Sequence, residues 1–276
     1  MNPTNVEQAL AQAKALGVER LDAQLLLARA LSCSRSWLLA HGEAMLNEAQ
    51  ARQYGDDLQR RGDAVPLAYL LGTKEFRGLN LHINPAVLVP RPETEMLVDW
   101  ALELLEGELL QSSQKFVVDL GTGSGAIALA IKKDHPEANV CATDASAAAL
   151  AVAVANAERL RHPIAFLAGP WWQAVGNRRF HLAVSNPPYV ASGDPHLFAL
   201  RHEPAMALTA GTDGLDAIRL IVSGARNRLQ PGGWLLIEHG HDQAPAVSQL
   251  LRAEGFLGAN TRRDLAGLPR CSGAHL

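Results

Sequence analysis

The chain has 276 residues, which fits one large domain or two smaller ones, and 48% of them are hydrophobic, enough for a substantial core. A formal net charge of −3 gives no basic excess to mark a large nucleic-acid footprint, so no direct nucleic-acid binding is expected. Cys33, Cys141 and Cys271 lie too far apart for a metal or disulfide spacing, the start of the chain lacks the basic flank and apolar core of a signal peptide, and no run approaches ~18 apolar residues, so a cytoplasmic, monomeric protein with no membrane span and no metal is expected.

The first seventy or so residues read as helices only. Thr4-Asn5-Val6-Glu7 has the Thr-x-x-Glu form of a capping box, and the helix it opens should stop near Gly17. Glu19 to Leu31 carries Leu21, Leu25 and Ala28 on one face. Asn47 predicts the cap of a further helix that Gly62 ends, and Pro66 to Leu71 predicts a short helical piece closed by Gly72. A small helical bundle over residues 1–72 is the expectation.

Phe76 to Ile83 and Val87 to Val89 alternate as a short hairpin turning at Asn84-Pro85, which suggests a β-hairpin linker over residues 73–91. Pro92 suits a first helical turn, and that helix is expected to run to about Leu110. Over residues 92–276 strands and helices then alternate. Strands are predicted at Phe116–Leu120, Asn139–Thr143, Ile164–Ala168, Phe180–Ser185 and Trp234–Glu238, with helices of ten or more residues between most of them. That rhythm implies an α/β fold with a parallel, Rossmann-like sheet. Phe256–Thr261 is a candidate further strand. The tail from Pro269 to Leu276 is poor in β-formers and is assigned no strand.

Val117-Val118-Asp119-Leu120-Gly121-Thr122-Gly123-Ser124-Gly125 is a buried strand entering a glycine turn and then a helix. Glycines let backbone turn tightly and approach a ligand, and ligands of such sheets bind at the carboxyl ends of the strands. Asp144 ends the next strand, where a carboxylate can accept hydrogen bonds from both hydroxyls of a ribose. The pattern fits an adenosine-type cofactor, and Gly121-x-Gly123-x-x-Ala126 also fits a dinucleotide. Asp119 favours S-adenosylmethionine, because an acid before the first glycine can orient the loop and face the sulfonium end.

Asn186-Pro187-Pro188-Tyr189 follows the next-but-one strand. A planar NH2 group has a delocalised lone pair and is a poor nucleophile, so two acceptors must hold its hydrogens and aim its nitrogen. The Asn186 side-chain oxygen and the Pro187 carbonyl can be those acceptors. The prolines stiffen the loop, and Tyr189 offers a flat face to a flat substrate. Asn186 is therefore the candidate catalytic residue, and Asn186 to Tyr189 the candidate substrate-binding group.

These motifs closely resemble the release factor glutamine methyltransferase family, which modifies class I peptide chain release factors, and the likeness covers nearly the whole chain. It is carried by Pro66 to Gly72, Glu75 to Gly78, Val89-Pro90-Arg91-Pro92-Glu93-Thr94-Glu95, Asp119 to Ala130, Asn186 to Tyr189, Glu203-Pro204 with Ala207-Leu208, and Asp213-Gly214-Leu215. The resemblance implies a class I S-adenosylmethionine-dependent methyltransferase domain behind a small helical domain that binds the release factor. It implies methylation of the side-chain nitrogen of the glutamine in the factor's Gly-Gly-Gln tip. It implies cofactor contacts by Gly121, Thr122, Gly123, Ser124, Gly125, Asp144, Trp171 and Asn186, with Arg91 to Thr94 helping to cover the site. Two departures stand out: Gly169-Pro170-Trp171 has proline where the family carries an acid, and the C-terminal residues lack the family's β-rich ending.

Lesser features have bland readings. His239-Gly240-His241 lacks a third ligand at metal spacing and reads as solvent-facing loop histidines; of Trp171-Trp172 one belongs in the core; Glu93 fits a helix N-terminus as well as a substrate contact; Lys132-Lys133 reads as a solvated helix face. The alternatives are an adenine methyltransferase, which should show a basic, aromatic-rich surface, a nicotinamide-dependent oxidoreductase, and a noncatalytic binding module.

Overall fold

The computed structural model describes residues 4–109 and 114–276. Its contacts divide the chain into two units, Met1–Thr73 and Lys74–Leu276. The first unit is helical: α1 (Val6–Ala15), α2 (Arg20–Leu31), α3 (Arg35–Ala40), α4 (Glu48–Gly62) and α5 (Leu67–Leu71). Asn5, not Thr4, caps α1, its side chain accepting from the Gln8 amide at 2.9 Å, while the Thr4 amide and hydroxyl both donate to the Gln8 side chain. Asn47 caps α4 in a reciprocal box with Gln50. The buried face of α2 is turned from the predicted one. Leu21 is exposed, and Ala23, Leu26, Leu27 and Ala30 fill a core with Val6, Ala9, Leu38, Tyr54 and Leu58.

The boundary between the units falls at the start of a hairpin of β1 (Thr73–Phe76) and β2 (Leu79–His82). Its turn is Arg77-Gly78, both at positive φ, rather than Asn84-Pro85. Asn84 instead makes a separate turn, its side chain accepting from the Ala86 amide at 2.9 Å, and Val87 to Val89 form no strand. A 3-10 turn at Pro92–Thr94 leads into α6 (Glu95–Glu106); the predicted end of that helix at Leu110 lies outside the described residues.

Then come β3 (Phe116–Leu120), α7 (Ala126–Asp134), β4 (Asn139–Asp144), α8 (Ala147–Leu160), β5 (Ala165–Ala168), β6 (Phe180–Ser185), α9 (Asp216–Ala225), β7 (Leu229–Glu238), α10 (Ala244–Ala253), β8 (Leu257–Arg263) and β9 (Pro269–His275). The seven-stranded sheet has the order β5-β4-β3-β6-β7-β9-β8, and β5 to β7 are parallel. The tail that the sequence left without a strand is β9, inserted antiparallel between β7 and β8. Its small residues are a packing requirement: a Cβ at Gly273 would collide with the side chains of Leu236 and Trp100, and Cys271, Ser272 and Ala274 are fully buried. β3 pairs with β4 on one side and with β6 on the other, so the order in which successive strands are added reverses at β3 and a crevice opens at the carboxyl ends there.

Candidate active site

The crevice holds about 1070 Å³ of space, part of it open to solvent. Its walls include Gly121, Thr122, Gly123, Ser124, Asp144, Trp171, Asn186 and Pro188 from the predicted set, together with Val87, Leu88, Arg91, Thr94, Ile127 and Pro170. Gly125, Pro187 and Tyr189 are not part of the wall.

The glycine loop follows β3 because positive φ is needed there in quick succession, at Gly121 (76°), Gly123 (56°) and Gly125 (84°). The amides of Gly121 and Thr122 both donate to the Thr143 carbonyl at 2.9 Å, which ties the loop to β4. Beneath it lies Asp119, fully buried. It accepts from the Thr122 hydroxyl at 2.6 Å and the Ala128 amide at 3.3 Å, and burial pushes its carboxyl up to about 7. Asp119 thus orients the loop from below and is no part of the crevice wall. Asp144 accepts from the Gly123 amide at 2.9 Å and the Ser146 amide at 2.8 Å, placing its carboxylate between the loop and the start of α8.

Trp171 and Trp172 divide their work. Trp172 is buried and donates its indole N–H to the Ile221 carbonyl at 2.7 Å. Trp171 has φ +44°, a strained conformation for a bulky residue that costs about 1–3 kcal/mol, and its ring lies in the crevice wall. The ring rests on the loop backbone: a Cβ at Gly121 would stand 2.9 Å from Trp171 Cζ3. Pro170, the residue that departs from the family pattern, also lines the wall.

Asn186 directly follows β6, level with the glycine loop, because Ser185 donates its hydroxyl to the Leu120 carbonyl at 2.6 Å and locks the two strand ends together. The Asn186 Nδ2 donates to Thr94 Oγ1 at 3.1 Å. Tyr189 turns its hydroxyl inward to Glu238 Oε1 at 3.3 Å, and burial pushes its pKa up. The Tyr189 carbonyl accepts from Gln243 Nε2 at 3.0 Å and sits where a Cβ on Gly214 would fall, which is why glycine stands in Asp213-Gly214-Leu215. Glu238 is 1% exposed, and burial pushes its carboxyl up to about 7.

Three functional features escaped the sequence reading. Glu203, buried, accepts from the Val89 amide at 3.0 Å and pairs with the Arg91 guanidinium, so it clasps the segment before α6 to the loop after Tyr189. Asn156, buried in α8, donates to the carbonyls of Ser124 and His82 at 3.0 Å each and accepts from the His82 amide at 2.7 Å. A lone asparagine in the alanine-rich run from Ala147 to Ala157 was the signal for it. The third is the pair Thr94 and Glu238, which had no local signal. His239, expected in solvent, is fully buried; Nε2 meets Ser272 Oγ at 2.8 Å, and burial lowers its pKa. Lys132 and Lys133 are not simply solvated. They donate to the carbonyls of Pro136, Ala138 and Arg77.

Comparison with known proteins adds independent findings. The family model described as PrmC N-terminal domain matches residues 4–72, and that described as Methyltransferase small domain matches residues 94–203. The release factor glutamine methyltransferase of Coxiella burnetii is 48% identical over 254 residues, 91% of this chain and 90% of that protein. The proteins of the same name from Xylella fastidiosa (46% over 266 residues, 95% of each chain) and Bordetella pertussis (48% over 263 residues, 94% and 96%) are similar. Among solved structures, the hMettl16 catalytic domain in complex with a MAT2A 3′UTR hairpin aligns at a TM-score of 0.58 with 15% identity over 90% of both chains. The T. thermophilus 16S rRNA N2 G1207 methyltransferase aligns at 0.53 with 21% identity over 74% of this chain and 49% of that one. At such identities the structural likeness establishes the fold alone, an α/β methyltransferase fold.

Proposed function

The chain belongs to the release factor glutamine methyltransferase family, and from that premise we propose that it methylates the side-chain nitrogen of the glutamine in the Gly-Gly-Gln motif of class I peptide chain release factors, using S-adenosylmethionine. It is an enzyme of the protein-glutamine methyltransferase kind. The residues of the crevice fit the cofactor. Asp144 offers a carboxylate to a ribose, the space above Gly123 is open to a ligand where a Cβ would meet nothing within 4 Å, and the Trp171 and Pro170 walls suit a flat base. Gly121, Thr122, Gly123 and Ser124 would hold it from below, with Asp144, Trp171 and Asn186 at its sides, while Gly125 turns the loop into α7 outside the crevice wall. When bound, it supplies a methyl group activated by a sulfonium.

The chain's own residues then do the positioning. The observation that carries the reading is the Asn186 amide, whose Nδ2 is given to Thr94 and whose Oδ1 remains to accept one hydrogen of the substrate NH2. The Pro187 carbonyl is the proposed second acceptor, and the half-buried, hydroxyl-anchored Tyr189 holds the turn that carries both. Held by two hydrogens, the substrate nitrogen can rotate its lone pair only toward the methyl carbon. It grows acidic as the new bond forms, so its proton leaves to water without a strong base, and the catalysis is orientation and electrostatic stabilisation.

Residues 1–72 are the proposed grip on the release factor, and the cytoplasm is the proposed setting; among the described residues no helix is long and apolar enough to cross a membrane. The test is transfer of a labelled methyl group to a purified class I factor, followed by peptide mass spectrometry. The label should sit on the motif glutamine and vanish when that glutamine is changed to glutamate, which has no NH2. Label found in nucleic acid, or retained on the glutamate factor, would overturn the reading.

A further inference from the structure

The buried face of α8 is apolar except at one position: Ala149, Leu150, Val152, Ala153 and Ala157 surround Asn156, which is 0% exposed. A buried amide must find partners for its hydrogens and its oxygen, because a polar group left unpaired there costs more than a made bond gains. Asn156 finds all of them. Its Oδ1 accepts from the His82 amide at 2.7 Å, and its Nδ2 donates to the carbonyls of His82 and Ser124 at 3.0 Å each. Neither a carboxylate nor an apolar side chain of similar size can make those two donations. The partners lead to two different walls of the crevice. Ser124 belongs to the glycine loop and lines the crevice itself. His82 ends β2, and the chain running on from it supplies Val87, Leu88, Pro90 and Arg91 to the wall. Glu203 holds the far end of that segment, accepting from the Val89 amide at 3.0 Å and pairing with Arg91. The loop is also set closely on the same face of α8, three residues before Asn156: a Cβ at Gly125 would stand 3.3 Å from the Ala153 Cβ.

We propose that Asn156 is a positioning residue for the cofactor: by tying the Ser124 carbonyl to the backbone of His82, it sets the spacing between the glycine loop and the segment over residues 83–91, and with it the fit of the crevice to S-adenosylmethionine. The inference rests on the reading of the crevice as the cofactor site given above. Asn156 is not part of the crevice wall, so it acts only through the backbone of its partners. Its loss leaves the Glu203 clasp and the Asn186 turn in place, so the effect belongs to cofactor affinity and not to the transfer step.

The test uses the full-length enzyme, titration calorimetry with S-adenosylmethionine, and single-turnover transfer to a purified class I factor at saturating cofactor. Asn156→Leu keeps the volume and leaves the Ser124 carbonyl and both His82 groups without this partner. The dissociation constant should rise about tenfold, while transfer at saturating cofactor stays near the wild-type rate. A merely structural role would lower the melting temperature without moving that constant. Gly273→Val, which crowds Leu236 and Trp100 at β9, is the comparison: it should lower the melting temperature and leave cofactor affinity unchanged. Should Asn156→Leu not fold, Asn156→Ser decides in its place, because a single short hydroxyl cannot make the three bonds; its affinity should fall too. A wild-type dissociation constant in folded Asn156→Leu, or in Asn156→Ser in its place, would overturn the inference. So would a Gly273→Val enzyme that loses affinity as much as the Asn156 variant does. Failure of the wild-type enzyme to bind S-adenosylmethionine would instead remove the cofactor reading on which the inference rests.

Discussion

The loop after β3 and the turn after β6 end neighbouring strands and face one crevice, yet they are held by different parts of the chain. The glycine loop is fixed mostly from nearby in the chain: positive-φ glycines, Asp119 three residues before Thr122, Asp144 at the end of the adjacent strand and Asn156 in the helix after it. The Asn186 turn is fixed from far away, by Thr94, Glu238 and Gln243, with Glu203 clasping the segment that carries Thr94 to the loop beyond the turn. The cofactor side is a local backbone device. The substrate side is a side-chain network that exists only after folding. Damage to the two should therefore separate, the first altering cofactor affinity and the second altering transfer at saturating cofactor.

Deleting residues 1–72 is a large expected change on the substrate side. If that unit grips the factor, its loss removes a tethered contact, and methylation of the intact factor should drop about a hundredfold or more, while titration calorimetry finds cofactor binding unchanged. A folded truncated enzyme working at the full rate on the whole factor would erase the proposed division of labour. On the cofactor side, Asp144→Ala should weaken S-adenosylmethionine binding about tenfold or more, given charge-assisted hydrogen bonds of roughly 1.5–3 kcal/mol each. An unchanged dissociation constant in a folded variant would take Asp144 out of the site.

The same contrast explains what could be read from the chain alone. Asp119 to Gly125, Asp144 and Asn186 to Tyr189 are local patterns, and the structure brings Gly121 to Ser124, Asp144, Trp171, Asn186 and Pro188 to one crevice. Thr94 and Glu238 were not legible as partners, because nothing local links residues on separate elements. β9 was missed for a related reason. Propensity scores Gly273 and Ser272 as poor strand formers, whereas the space under Trp100 and Leu236 admits nothing larger. Gly273→Val should accordingly cost about 1–3 kcal/mol by overpacking and lower the melting temperature by a few degrees. A variant that melts with the wild type would show that β9 does not pack as described.

A smaller effect concerns Asp119. Its folded-state pKa, pushed up to about 7 by burial, lies above its ordinary value of 3.8, so the folded state holds the proton more tightly than the unfolded chain. Stability from this group is greatest below pH ~4, falls as pH rises to about 7 and levels off above that. Asp119→Asn carries no such titration, so its melting temperature relative to wild type should improve as pH is raised from 4.5 to 7.5. A constant difference across that range would show that Asp119 is charged throughout.

The most direct test of the substrate side is single-turnover methyl transfer to a purified release factor by Asn186→Ala, at cofactor concentrations shown separately to saturate it. Loss of a site-orienting hydrogen bond in such a pocket costs about 3–4 kcal/mol of transition-state stabilisation. Transfer should therefore fall roughly a hundredfold to a thousandfold. Transfer near the wild-type rate would contradict the central claim, that the Asn186 oxygen holds the nitrogen being methylated.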